Sequence, residues 1–205
     1  LMRSTEWIWP TPIYCNDRVD EYTKVQKELH SAVKKIKFEM KEEWGKTHYL
    51  SDVNFNCNVI EEYNLEYFKK ALTTSISEYC NSIGFNSEYT IDEAWFALYK
   101  NGNYGPLHDH GIADMSGVYY LQTNGNDGDF YMDCAVPQMG CTTVYEELAT
   151  YRTYKPEEGK LIIFPGWVKH GVRMNTTNHV RISLSFNIIF NRRNRNQRNA
   201  MLTHT

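Results

Sequence analysis

Three histidines and one arginine in the second half of the chain have types and spacing that could do chemistry. His108-Asp109-His110 comes first, and His170 closes the run Phe164-Pro165-Gly166-Trp167-Val168-Lys169-His170. On a strand, side chains alternate with period 2, so His108 and His110 are expected on one face. A third imidazole, from a neighbouring strand, can then complete a metal site. After His170 comes Arg181-Ile182-Ser183-Leu184-Ser185-Phe186-Asn187, in which Arg181, Ser183, Ser185 and Asn187 fall on one face and the apolar residues on the other. A polar inner row makes poor core but suits a wet cavity holding a dicarboxylate, with the guanidinium as its fork. The plainer reading is a polar row facing solvent. Metal ligands plus a carboxylate anchor are the constellation of non-haem iron chemistry supported by a 2-oxo acid.

Other residues are weighed against this set. Asp109 is a rival metal ligand, but on a regular strand it points away from its two neighbours; Asp114 is a weaker rival. Tyr99 and Tyr120 are candidate hydroxyl donors to the co-substrate, Ser183 adds a hydroxyl beside Arg181, and Asn187 ends the same row. Asn103 and Tyr104 could line the cavity mouth, while Trp167 is expected to pack the turn ahead of His170. His30, His48, His179 and His204 lack comparable context and read as surface groups.

The elements that must position these residues fall into two regions. Val19, Tyr22, Val25, Leu29, Val33 and Ile36 recur at three- and four-residue steps, which predicts an amphipathic helix from 17 to about 40 with Asp17 as N-cap. A second helix is expected from about 65 to 82, with Asn64 as cap and Gly84 past its end. From Thr90 the texture changes to short runs rich in β-branched and aromatic residues. Strands are expected at 92–100, 106–110, 116–122, 128–133, 143–152, 160–164, 170–174 and 180–190, with Asn-Gly and Asp-Gly turns between them. Short strands after two helices predict a mainly β fold: a double-stranded β-helix, or jelly-roll barrel, braced by the helices. The whole chain, 1–205, is read as one domain: support region 17–89, barrel 90–190 and basic tail 191–205. The arginines of that tail, Arg192, Arg193, Arg195 and Arg198, read as a solvated end or a dimer-contacting extension.

Bulk properties narrow the function classes. An apolar content of 41% and an aromatic content of 14% place the chain among globular proteins. The net charge of −3 argues against nucleic acid as an obligate partner. The five cysteines are odd in number and scattered, which fits reduced thiols in the cytoplasm. No apolar run reaches membrane-spanning length, and no signal-peptide core is present at the start. Asn175-Thr176-Thr177 fits a glycosylation acceptor but is read as a turn.

The same residues carry a family resemblance. Trp9-Pro10-Thr11-Pro12-Ile13-Tyr14, His108-x-His110, Ser116-Gly117-Val118-Tyr119-Tyr120-Leu121, Pro156 to Gly159, Phe164-Pro165-Gly166-Trp167 to His170, and Arg181 to Asn187 occur in that order. Together they resemble the 2-oxoglutarate and Fe(II)-dependent oxygenases, in particular a small bacterial and phage subgroup. The resemblance implies Fe(II) held by His108, His110 and His170, with 2-oxoglutarate anchored by Arg181 and Ser183 and O2 as the oxidant. It also implies hydroxylation of a C–H bond in a small-molecule or peptide substrate, with succinate and CO2 as co-products. His110 stands where the superfamily usually has a carboxylate, so the site is one negative charge poorer. Two other readings stay open. One is a three-histidine cupin-type dioxygenase, lyase or isomerase without a 2-oxo acid; the other is a non-enzymatic jelly-roll with a closed structural metal. A homodimer is the base-rate expectation for the assembly.

Overall fold

The computed structural model describes residues 10–51, 57–134, 136, 143 and 152–191. Two antiparallel sheets lie face to face, and helices cover the outer face of the larger one. In chain order the elements are β1 (Tyr14–Asn16), α1 (Tyr22–Val33), β2 (Glu39–Met40), β3 (Tyr49–Leu50), α2 (Val59–Glu62) and α3 (Glu66–Ser82). There follow β4 (Tyr89–Tyr99), β5 (Gly105–His108), β6 (Met115–Gln122), β7 (Phe130–Met132), β8 (Arg152–Tyr154), β9 (Leu161–Pro165), β10 (His170–Val172) and β11 (Arg181–Phe190). The major sheet runs β1-β9-β6-β11-β4-β3-β2 and the minor sheet β5-β10-β7-β8. This is the expected jelly-roll.

Alternation along the central strands makes two cores. Phe96, Tyr119, Leu184 and Phe186 face the helices, where they meet Val25, Leu29, Phe68, Leu72 and Ile76. Val118, Tyr120, Ile162 and Phe164 face the other way, against Phe130, Met132 and Val172 of the minor sheet. Every one of these side chains is buried, and removing an aliphatic or aromatic one from either core costs about 2–5 kcal/mol. Gly117 lets the sheet close, because a Cβ there would meet the Phe186 ring at 2.3 Å.

The helices depart from the sequence reading at their ends. Glu21, with φ of 51°, is left-handed and resets the backbone, so α1 begins at Tyr22 and Asp17 does not cap it. The helix stops at Val33, beyond which Ile36, Phe38 and Met40 alternate like a strand and lead into β2. Asn64 is left-handed as well and caps nothing. The first N–H groups of α3 are met instead by Glu28 of α1, whose carboxylate accepts from Tyr67 N at 3.1 Å and Phe68 N at 2.9 Å. Asn58 caps α2, a helix the periodicity did not reveal. Gly84 follows α3 at φ of +66°, as expected for a helix stop.

Seven of the predicted strands correspond to β4, β5, β6, β7, β9, β10 and β11. The strand predicted at 143–152 lies mostly outside the described residues, as do Trp9, Cys141 and the tail arginines. The short strands β1, β2 and β3 were not predicted. Among the described residues no helix is long and apolar enough to cross a membrane.

Candidate metal centre

His108 ends β5 and His170 begins β10, and the two are paired in register across the minor sheet. Their ring centroids lie 4.4 Å apart. His110 reaches the same point by a different route from the one predicted. The strand ends at His108, and His110 sits in the following turn, where its N–H donates to Gly166 O at 2.9 Å. Gly166 in turn donates to Asp114 O at 3.2 Å. A Cβ on Gly166 would stand 2.1 Å from Ala113 O, so only glycine lets the Pro-Gly-Trp turn press against the loop that carries His110.

The ligand atoms of the three histidines all lie within 4.8 Å of one another. His108 Nδ1 lies 2.8 Å from Pro106 O and His170 Nδ1 lies 2.8 Å from Val168 O. A carbonyl only accepts, so both Nδ1 atoms carry the proton and both Nε2 atoms present a lone pair. His110 Nε2 lies 3.2 Å from His170 Nε2, so the two point at the same spot. Burial first, then the neighbouring imidazoles, pushes His110 down to about 3. Burial and His108 take His170 to about 4, and burial lowers His108 as well. All three are therefore neutral near pH 7, the form that binds a metal.

Among the described residues no carboxylate joins them. Asp109 is exposed and accepts from Gly111 N at 3.1 Å, and Asp114 accepts from Phe190 N at 2.8 Å. Among the described residues these three histidines are the one such group of metal-binding side chains, with no fourth protein ligand. That donor set fits an ion with positions left for other ligands, unlike a closed four-ligand structural site.

Beside the triad lies a cavity of about 250 Å3, lined by Trp44, His48, Trp95, Tyr99, Arg181 and Ser183 among others. Arg181 is completely buried. Its Nη1 donates to Gly128 O at 2.6 Å, while Nε and Nη2 have no partner in the protein. The guanidinium carbon lies 5.2 Å from the Tyr99 ring and 5.0 Å from that of Tyr120. The Tyr120 hydroxyl is likewise buried without a partner, and burial raises its pKa and that of Tyr99. Orphaned donors are costly in a protein interior, about 1–3 kcal/mol each, and their clustering here is a donor set that fits an acidic group. Ser183 is buried on the same row and Ser185 and Asn187 follow it along the cavity. Asn187 sits at the opposite end from Arg181, with its amide engaged by Ser116 and Glu93.

Three sequence expectations need correction here. His48 is no surface group: it is buried, lines the cavity and stacks on Tyr99 with centroids 5.0 Å apart. Thr47 Oγ1 gives its proton to Trp44 O, so its contact with His48 Nδ1 at 2.9 Å makes that nitrogen the donor. Trp167 is 53% exposed and does not pack the turn. Asn103 and Tyr104 do not line the cavity; the Asn103 side chain accepts from Lys100 N at 2.9 Å. His179 is also placed, against the buried carboxylate of Asp127 at 2.9 Å. Asn175 is buried with its amide donating to Tyr99 O and His179 O, which agrees with a turn and leaves it closed to glycosylation.

Three converging histidines that could hold a metal ion thus share a double-stranded β-helix cavity with a buried arginine fork. Residues 93–187 match the family described as "Putative 2OG-Fe(II) oxygenase", and this segment holds the three histidines and Arg181. No curated protein matches the chain in sequence. Among solved structures, a 2OG-Fe(II) oxygenase family oxidoreductase from Burkholderia pseudomallei superposes with a TM-score of 0.61 at 14% identity, covering 80% of this chain and 76% of that one. A Pseudomonas putida prolyl-4-hydroxylase gives 0.57 at 16% identity, covering 90% and 94%. The α-ketoglutarate-dependent epimerase SnoN from nogalamycin biosynthesis gives 0.66 at 12%, covering 88% and 78%. At these identities the likeness is one of fold.

Proposed function

We propose that the protein is an Fe(II)- and 2-oxoglutarate-dependent oxygenase that hydroxylates a C–H bond of a small-molecule or peptide substrate. The observation that carries this reading is Arg181: a fully buried guanidinium with two unpaired nitrogens, in the same cavity as three converging histidines. Once bound, Fe(II), 2-oxoglutarate and O2 supply the hard chemistry, in which the co-substrate becomes succinate and CO2 as the substrate is oxidised.

The protein's own part is binding, orientation and exclusion of water. His108, His110 and His170 hold the metal through neutral imidazoles, and Pro106 O and Val168 O fix the orientation of two of them. Arg181 takes the distal carboxylate through Nε and Nη2, with Ser183 and the Tyr120 hydroxyl as further donors. Tyr99 forms the wall beside that carboxylate. Trp44 and Trp95 flank the metal ligands at 4.8 Å from His108 and 5.7 Å from His110 and keep bulk water away. Cys15, Cys57, Cys80 and Cys134 are in no disulfide, which supports the cytoplasm as its place.

The test is turnover without a known substrate. Fe(II)-loaded protein in air, given 2-oxoglutarate alone, is expected to form succinate slowly. Arg181→Met should abolish this at low co-substrate concentration. No succinate from iron-loaded wild-type protein at saturating 2-oxoglutarate would contradict the reading. The solved relatives include an epimerase, so product analysis must then separate hydroxylation from other outcomes.

A further inference from the structure

The cavity has two ends, and only one is accounted for by the co-substrate. The inward rows of β4 and β11 lie side by side, with Tyr99 opposite Arg181, Ala97 opposite Ser183, Trp95 opposite Ser185 and Glu93 opposite Asn187. Arg181 and Asn187 are three pleats apart, about 20 Å at the usual strand rise. The Trp95 ring is 5.7 Å from His110, so the triad lies between the two ends. Glu93 lies on the far side of Trp95, about 7 Å further along the strand.

Glu93 lines the cavity and is held in one orientation. Its Oε2 accepts from Asn187 Nδ2 at 2.7 Å, and Asn187 Oδ1 accepts from Ser116 Oγ at 2.8 Å. Ser116 and Asn187 are buried, so a relay across β6, β11 and β4 fixes the carboxylate. An amide donor orients a carboxylate but does not neutralise it. The neighbouring wall is the Trp95 ring, two residues along the same face of β4, and an indole face attracts cations. Lys41 also lines the cavity and has a partner of its own. An anion at this end would meet the Glu93 charge, and a neutral group would leave that charge unanswered in a partly desolvated site.

We infer that Glu93, with Trp95, binds a positively charged nitrogen of the substrate, an ammonium or guanidinium, about one strand pleat beyond the tryptophan that packs beside His110. The oxidation of that substrate rests on the proposed function; the cation site does not.

Benzylammonium, benzyl alcohol and benzoate test this as a matched set. Binding is read from the Trp95 indole N–H resonance, in metal-free protein and in anaerobic protein loaded with Fe(II) and 2-oxoglutarate. The expected result is benzylammonium at least about tenfold tighter than benzyl alcohol, with benzoate weakest. In Glu93→Gln the preference should fall to about twofold or less. Equal affinity of the cation and the alcohol in the wild type overturns the inference, as does a preference that survives in Glu93→Gln. Should that variant fail to fold, Glu93→Asp retracts the charge by one methylene and must weaken benzylammonium alone; no change there overturns the inference too. A protein that shows the preference but binds no 2-oxoglutarate loses the proposed function and keeps this site. The reverse result removes this site only.

Discussion

His108 and His170 face each other across β5 and β10, and each ring is oriented by the carbonyl two residues before it, Pro106 O and Val168 O, both at 2.8 Å. The strand pair thus fixes the position and the tautomer of two imidazoles at once. His170→Ala should lower Fe(II) affinity by more than ~100-fold, since loss of a mere supporting group already costs about 10–100-fold. Calorimetric titration of anaerobic protein checks it, and tight iron binding by the variant would remove His170 from the site. His110→Asp is expected to keep the metal in the same titration, because a carboxylate can replace a neutral imidazole as a ligand to a divalent ion.

Gly166 joins the two loops that carry His110 and His170. Gly166→Ala places a methyl group 2.1 Å from Ala113 O, and backbone cannot yield as a flexible side chain can. The expected cost is about 1–3 kcal/mol of stability. Fe(II) binding should weaken about tenfold as His110 moves, by analogy with loss of a group that orients a ligand. Denaturant unfolding and metal titration of the variant measure the two effects.

Much of this site was legible in the sequence, and the exceptions have physical reasons. The row Arg181, Ser183, Ser185, Asn187 stood out because β11 is regular and alternation carries straight through it. The triad was visible too, although His110 reaches it through a turn held by Gly166 and not through a continued strand. His48 was hidden because it precedes a two-residue strand with no periodicity; only the pairing of Tyr49 with Leu98 and Leu50 with Ala97 brings it to the cavity. The start of α1 was misplaced because Glu21 adopts left-handed backbone, which a glutamate does not announce; α3 starts where expected, but Asn64 is left-handed and does not cap it. The cap of α3 comes from Glu28 on another helix, a tertiary contact no local pattern encodes.

Acid should unfold the metal-free protein through its buried imidazoles. His48 and His170 are held at about 4 and His110 at about 3, against 6.5 when unfolded. Each lowered group favours the unfolded state once protons bind there. Stability is therefore full above pH 6.5 and falls as the pH drops from 6.5 through about 4. For His48 alone this amounts to on the order of 3 kcal/mol. His48→Phe should flatten the decline of Tm between pH 6.5 and 4. A variant with an unchanged slope would show that His48 is not held neutral.

Arg181 carries opposite consequences for stability and function. In the ligand-free protein its two unpaired nitrogens cost stability, so Arg181→Met should leave the melting temperature unchanged or higher. Binding of 2-oxoglutarate should weaken by roughly 100-fold, the scale of a lost charge-assisted pair, with Fe(II) content retained. Differential scanning fluorimetry with and without co-substrate checks both, because only the wild type should be stabilised by it.

The central claim is that one cavity holds a metal on His108, His110 and His170 and a 2-oxo acid on Arg181. Its most direct test is anaerobic: Fe(II) is added to metal-free protein, then 2-oxoglutarate, and the visible spectrum is followed. The account predicts a weak charge-transfer band that saturates at one equivalent per chain and is lost at the same concentrations in Arg181→Met. Iron that binds without any band would contradict it and favour a three-histidine enzyme whose substrate itself chelates the metal.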